Sequence, residues 1–214
     1  IEENLSKTYK LMNNIALTGW YTQTIGNAEI PFMGTFDGQG FTISGFKGGD
    51  SENNFAIFGV IGTTGVVKNL GIKGAEREVD FYRGNTSAFL ASKNYGLIEN
   101  VYVEATIMSG GDLVAGIVGE NHGTIKFVLS RVKVYKNDDF IPGTGFALIN
   151  TGTITNSYVD QGYTNAPTYL SEASDLDVYL LTTEAFTSAS TYAGFDLNIW
   201  LIVNGEVPKL KPQI

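Results

Sequence analysis

Cysteine is absent from the 214 residues, which removes disulfide staples, Cys-ligated zinc and thiol nucleophiles together. Histidine occurs once, at His122, so a multi-histidine metal centre is excluded and any His-based triad would have to use that ring. Lys and Arg number 14 against 22 Asp and Glu, a formal charge of −8, and the basic residues are scattered. Phosphate neutralisation needs a basic face, so a nucleic-acid partner is disfavoured. No apolar run approaches the roughly 20 residues that span a bilayer, so membrane insertion is not expected. Ile1 opens directly into Glu-Glu-Asn rather than a charged start and apolar h-region, which reads as an excised or processed fragment. Hydrophobic residues are 43% and charged residues 17% of the chain, a balance that lets it bury a core and fold.

What is abundant is glycine, 26 residues, and it marks a repeat. Four segments align on a shared glycine: Gly65-Val-Val-Lys-Asn-Leu-Gly-Ile72, Gly96-Leu-Ile-Glu-Asn-Val-Tyr-Val103, Gly123-Thr-Ile-Lys-Phe-Val-Leu-Ser130 and Gly152-Thr-Ile-Thr-Asn-Ser-Tyr-Val159. Their spacings of 31, 27 and 29 residues drift as loops do between turns of a solenoid. Apolar residues stand two positions after the glycine (Val67, Ile98, Ile125, Ile154), five after (Leu70, Val101, Val128, with Ser157 the exception) and seven after (Ile72, Val103, Val159, with Ser130 the exception). Inward residues of a strand recur with period two, so the step from offset two to offset five requires a bend between them. Offset four carries Asn69, Asn100, Phe127 and Asn156, and asparagine suits a bend because its amide bonds local backbone.

A second polar column lies two positions before the glycine, at Thr63, Asn94, Asn121 and Asn150. Rungs stacked about 4.8 Å apart would turn each column into an amide ladder, with Phe127 breaking the first and filling its space with a ring. Like residues at like offsets indicate parallel stacking, because antiparallel pairing does not require it. The expected fold is all-β, a right-handed parallel β-helix over residues 1–160, with the glycines serving corners that need unusual φ values. Residues 10–46 read as an opening rung or two. The repeat dissolves after Asp160, and residues 161–214 read as a connector and a small C-terminal α/β cap. That cap carries a short helix behind Thr182 or Thr183 and a tight turn at Asn204-Gly205, and its expected task is to cover the solenoid's end.

Gly34-Thr-Phe-Asp-Gly-Gln-Gly-Phe-Thr-Ile-Ser-Gly45 resembles the opening motif of the GLUG-repeat family, which occurs in bacterial surface adhesins and in the N-terminal region of IgA-protease-type metallopeptidases. Ala115-Gly-Ile-Val-Gly119 with Gly123-Thr-Ile125, and Gly152-Thr-Ile-Thr-Asn-Ser-Tyr158, are similar to the repeat that names the family. Leu181-Thr182 through Trp200 and Gly205 to Pro208 resemble the tail that follows such arrays. Phe127, and Ser87-Ala-Phe-Leu-Ala-Ser92 where the family has Gly-Gly, depart from the pattern. The resemblance implies a β-helix on an exported or wall-attached bacterial protein, extracellular or at the cell surface. It carries over no catalytic residue, since the family's peptidases keep their metal motif in a separate domain and no His-Glu-x-x-His is present.

Chemistry outside the ladders is sparse, and no catalytic, cofactor-binding or metal site is assigned. His122 falls at a turn. Asp138-Asp139 would suit a cation or half of an acidic site of the kind that β-helix polysaccharide lyases and hydrolases use, against the plainer reading of a solvated loop. Glu76, Glu78 and Asp80 beside Arg77 read as an exposed linker between rungs, Gly110-Gly111 lacks the context of a phosphate loop, and Tyr82, Tyr102, Tyr135, Tyr158 and Tyr163 offer an outward aromatic strip. The expected function is a non-catalytic, monomeric surface module with an adhesion or spacer role. Its partner would be a host or cell-surface glycan or protein, bound on outward residues or in the departures at 73–86 and 135–142. The alternatives are a polysaccharide-active enzyme, which would show carboxylates with Arg or Lys on one face, and an ancillary domain of a surface metallopeptidase.

Overall fold

The computed structural model describes residues 4–19, 23–45, 47–48, 56–79, 87–109, 114–136, 144–163 and 176–213. It is a parallel β-helix of about four turns. The tallest sheet stacks Thr8–Lys10, Thr35–Asp37, Val66–Val79, Leu97–Ser109, Thr124–Lys136, Thr153–Asp160 and Leu176–Leu181, each parallel to the next. A second parallel sheet stacks Phe58–Ile61, Ala91–Asn94, Val118–Asn121 and Ala147–Asn150. Ser87–Ala88 and Val114–Ala115 pair on a third side, where Thr144 bridges to Ala115. Val66, Leu97, Thr124 and Thr153 lie in register, so the shared glycine marks the same corner in each rung.

The inward columns fill the coil. Val67, Ile98, Ile125 and Ile154 are buried, as are Leu70, Val101, Val128, Ile72, Val103 and Val159. The two serines that interrupt these columns also point inward and are satisfied there. Ser157 Oγ donates to the Thr155 carbonyl at 3.0 Å and accepts from Val128 N–H at 3.3 Å, while Ser130 Oγ donates to the Gly145 carbonyl at 2.5 Å. Phe58 packs against Phe32 and Phe36 at 5.3 and 5.5 Å between ring centres, closing the core near the first rungs.

The repeat glycines owe their place to crowding, which corrects the expectation of unusual φ. None of the four has positive φ. A Cβ on Gly96, Gly123 or Gly152 would instead lie 2.2 to 2.3 Å from the carbonyl oxygen of the matching glycine one rung away. Positive φ falls on the bend column: 53° at Asn69, 52° at Asn100, 55° at Phe127 and 46° at Asn156, with Gln39 at 52° in the rung before. Left-handed backbone is what lets each strand turn without leaving the ladder, and asparagine is the non-glycine residue that tolerates it best.

Three further expectations are corrected. Thr63 is not the partner of Asn94; Ile61 is, because the corner at residues 62–65 is two residues longer than its counterparts, and Thr63 stands exposed. Glu76 and Glu78 are not in a linker but in the strand Val66–Val79, opposite Thr106 and Met108. Tyr135 likewise belongs to Thr124–Lys136. A polar sequence does not end a strand whose backbone is paired with the strand Leu97–Ser109. Asp80, Tyr82, Gly110, Gly111, Asp138 and Asp139 lie outside the described residues.

Leu176–Leu181 adds a rung to the tall sheet. Thr182 then caps the helix Thr183–Phe186, its Oγ1 accepting from Ala185 N–H, and a 3-10 turn follows at Ala189–Tyr192. From there the chain runs back along the outer flank. Phe186, Tyr192, Phe195 and Trp200 pack with Tyr102 and Leu129, Trp200–Leu201 pairs antiparallel with Lys209–Leu210, and Gln213 N–H reaches the Gln39 carbonyl at 2.8 Å. Outward Tyr102, Leu129 and Tyr158 on successive rungs form an apolar flank, and its burial decides where the tail lies.

Candidate functional site

Both amide columns form ladders, and each has an identifiable end. In the second column Asn94 Nδ2 donates to Asn121 Oδ1 at 2.8 Å and Asn121 Nδ2 donates to Asn150 Oδ1 at 2.6 Å. Asn150 Nδ2 closes the series on the Gly152 carbonyl at 3.2 Å, and all three amides are buried. In the bend column Asn100 Nδ2 donates to Asn69 Oδ1 at 3.3 Å, and Asn69 Nδ2 donates to Asp37 Oδ1 at 3.0 Å. Phe127 interrupts it, setting its ring edge-on to Phe195 at 5.3 Å. Asn100 Oδ1, which would face a third amide, instead accepts the indole N–H of Trp200 at 3.1 Å. Asn156, beyond Phe127, is exposed.

Outside the coil the columns alternate in sign. Three positions after the glycine stand Lys68, Glu99 and Lys126 in register, with Asp37 before them. Lys126 pairs with Glu99 at 2.9 Å and Lys68 with Asp37 at 3.7 Å. Eight positions after the glycine, Lys73, Glu104 and Arg131 are in register, and Arg131 Nε donates to Asp160 Oδ2 at 3.0 Å. Arg131 Nη1 holds Glu104 at 3.3 Å, and the Tyr163 ring lies under the same guanidinium at 4.3 Å. Asp160 has no exposed surface and also accepts from Thr183 Oγ1 and Tyr163 N–H. This charged cluster escaped the sequence reading, though reading offset eight down the four aligned segments would have shown Lys73, Glu104, Arg131 and Asp160.

The tyrosines form a column of their own: Gly71, Tyr102, Leu129, Tyr158 and Tyr179 lie side by side. Tyr102 is 3% exposed and its hydroxyl donates to Glu104 Oε2. Burial, then Glu104 as acceptor and as a negative charge, holds its phenol far above the usual tyrosine range. Burial, then the neighbouring Tyr158 and Asp160, does the same for Tyr192. Of the tyrosines expected in an outward strip, Tyr102 and Tyr158 lie instead in a seam under the tail. Tyr179 alone in the column is widely exposed, at 48%, stacked on Tyr158.

His122 occupies a corner turn. It stacks on Tyr95 at 4.9 Å, meets Thr151 Oγ1 at 2.6 Å and approaches Glu120, which Lys93 pairs at 2.9 Å. Among the described residues no three His, Asp or Glu side chains are grouped to hold a metal ion, and no helix is long and apolar enough to cross a membrane. Where the flank is not filled, a recess of about 200 Å³ opens beside Gly71, Lys73 and Tyr102 under the tail residues Lys209, Leu210 and Pro212.

No family model matches the chain, and no solved structure matches it. A protein of Evansella cellulosilytica described as a Gly-rich membrane protein is 35% identical over 105 residues, 45% of this chain and 12% of that protein. Halomucin of Haloquadratum walsbyi is 35% identical over 101 residues, 46% of this chain and 1% of its own length. The chain is thus similar, over somewhat less than half its residues, to a small part of two much longer proteins.

Proposed function

We propose that the chain is a non-catalytic repeat module of a bacterial surface protein, of the GLUG-repeat kind, with an adhesion or spacer role. The observation that carries this reading is how the polar groups are used. Amides bond amides up the ladders, and outward charges pair across rungs at Lys68–Asp37, Lys126–Glu99 and Arg131 with Glu104 and Asp160. Among the described residues, the cluster that sets two carboxylates on a cation has Glu104 and Asp160 on the same guanidinium, with Asp160 inaccessible. A hydrolase that works by paired carboxylates needs both to reach a sugar bond, and this pair does not offer that. The names of the two relatives, a Gly-rich membrane protein and a halomucin, support a place at the cell surface.

The test is incubation of the purified chain with mucin and uronic-acid polysaccharides, with and without calcium, while reducing ends and unsaturated uronides are followed. No product is expected. Product that disappears in Glu104→Gln, or when Asp138 and Asp139 are both replaced by Asn, would overturn the reading in favour of a polysaccharide-active enzyme.

A further inference from the structure

The outward column six positions after the repeat glycine is filled by Tyr102, Leu129 and Tyr158, and the tail packs on these side chains. One rung earlier the same position is Gly71, and before it Thr42. The missing side chain leaves the recess of about 200 Å³, equal to the liquid volume of roughly six or seven waters at about 30 Å³ each. A Cβ on Gly71 would meet only the Thr42 side chain, with Oγ1 nearest at 2.7 Å.

Two lysines border this recess in a chain of charge −8, Lys73 from the sheet and Lys209 from the tail. Lys73 stands in register with Glu104, but Glu104 is held by Arg131 and by the Tyr102 hydroxyl. The Lys73 ammonium lies over the Tyr102 ring, 5.4 Å from its centre. Lys209 pairs with Glu206 at 2.8 Å, with both side chains 52% exposed, the kind of pair that contributes little and that a ligand carboxylate can displace. Neutral polar groups come from Asn14 and Thr42, and an apolar wall from Leu210 and Pro212.

We propose that this recess binds one carboxylate-bearing sugar residue, such as a uronate at the end or along the edge of a glycan. The ammonium groups meet the carboxylate by charge-assisted hydrogen bonds. The amide and hydroxyl suit ring hydroxyls, and the apolar wall suits a sugar's C–H face, for which a bare inorganic anion has no use. The volume is on the scale of about one sugar ring. The proposal rests on the non-catalytic reading, because the carboxylate is held and no bond is broken.

The probes are methyl glucuronide, methyl glucoside, acetate and a sulfated monosaccharide, titrated into the full chain and followed by backbone amide NMR. The uronide is expected to give saturable shifts centred on Thr42, Gly71 and Lys73, with affinity falling as salt is added. The glucoside, acetate and Lys73→Met with uronide should each bind about tenfold more weakly, the scale of one lost charge-assisted contact. Lys209→Met is read alongside, since it removes the second ammonium without touching the sheet. Equal binding of glucoside or acetate, tighter binding of the sulfated sugar, or affinity unchanged in both lysine variants would overturn the site. Sugar cleavage in the same tubes would instead overturn the non-catalytic reading. Absent binding without cleavage removes the site and leaves that reading standing.

Discussion

At the scale of single residues, two kinds of position hold the rungs at their spacing, and they fail differently. The corner glycines are closed to any side chain, since Gly123 would place a Cβ 2.3 Å from the Gly96 carbonyl oxygen and 2.6 Å from the Tyr95 carbonyl carbon. Both obstacles are backbone and can yield only by parting two rungs. Gly123→Ala is expected to cost about 3 kcal/mol, the upper range for overpacking, measured by denaturant titration; a cost below about 0.5 kcal/mol, the surface scale, would show that the corner has slack. The bend asparagines combine left-handed backbone with a buried amide. Asn100→Ala strands both Asn69 and the Trp200 indole and is expected to cost about 1 to 3 kcal/mol. Asn100→Gly keeps the backbone conformation while losing the same bonds, so it should recover about 1 kcal/mol of the alanine loss. Equal costs for the two would mean that φ contributes nothing at this position.

Between elements the rule inside the coil and the rule outside it are opposite. Inward, like stacks on like because aliphatic side chains share one buried space. Outward, identical charges one rung apart would repel, and the columns Lys68, Glu99, Lys126 and Lys73, Glu104, Arg131 alternate instead. A strand paired one rung out of place would bring like charges together, so alternation favours the native stacking order. The buried end of the second column carries the larger energy. Arg131→Met leaves Asp160 charged, inaccessible and without its cation, an arrangement that costs about 3 to 5 kcal/mol. Adding Asp160→Asn removes that uncompensated charge and should recover more than half of the loss. Chemical denaturation of the single and double variants checks this, and a single-variant cost below about 1 kcal/mol would mean that Thr183 and Tyr163 N–H suffice for Asp160.

For the whole molecule the decisive feature is the tail, which runs from the last rung along the flank to Gln39 and buries Tyr102 and Tyr192 against the sheet. Both phenols have folded pKa values raised above the ordinary value of about 10, so their contribution to stability is complete below that pH. It declines above it, because the unfolded chain loses protons that the folded chain keeps. Stability should therefore be level up to about pH 9 and fall from about pH 10 upward. In an alkaline titration followed by phenolate absorbance, at least two of the 11 tyrosines should ionise only together with unfolding. Smooth ionisation of every tyrosine near pH 10 in folded protein would show that the tail does not seal the seam.

Much of this was legible in the chain itself, and the reason is that a solenoid writes its contacts locally. The neighbours of Val101 are the residues at the same offset in the adjoining rungs, Leu70 on one side and Val128 on the other. Aligning the chain on itself therefore reveals parallel register, the inward columns, the bend and the place where Phe127 breaks a ladder. The same alignment holds the charged columns for a reader who follows outward offsets as well as inward ones. Other features had no such signature. The pairing of Ile61 rather than Thr63 with Asn94 depends on which residues the corner loops out, and the crowding that explains the corner glycines on how close neighbouring rungs sit. The path of residues 183–213 along the flank, and the recess left where Gly71 stands among tyrosines, depend on contacts between segments far apart in the chain, as in the bond from Trp200 to Asn100. No repeat encodes those contacts; they follow from which apolar surface the assembled coil leaves uncovered.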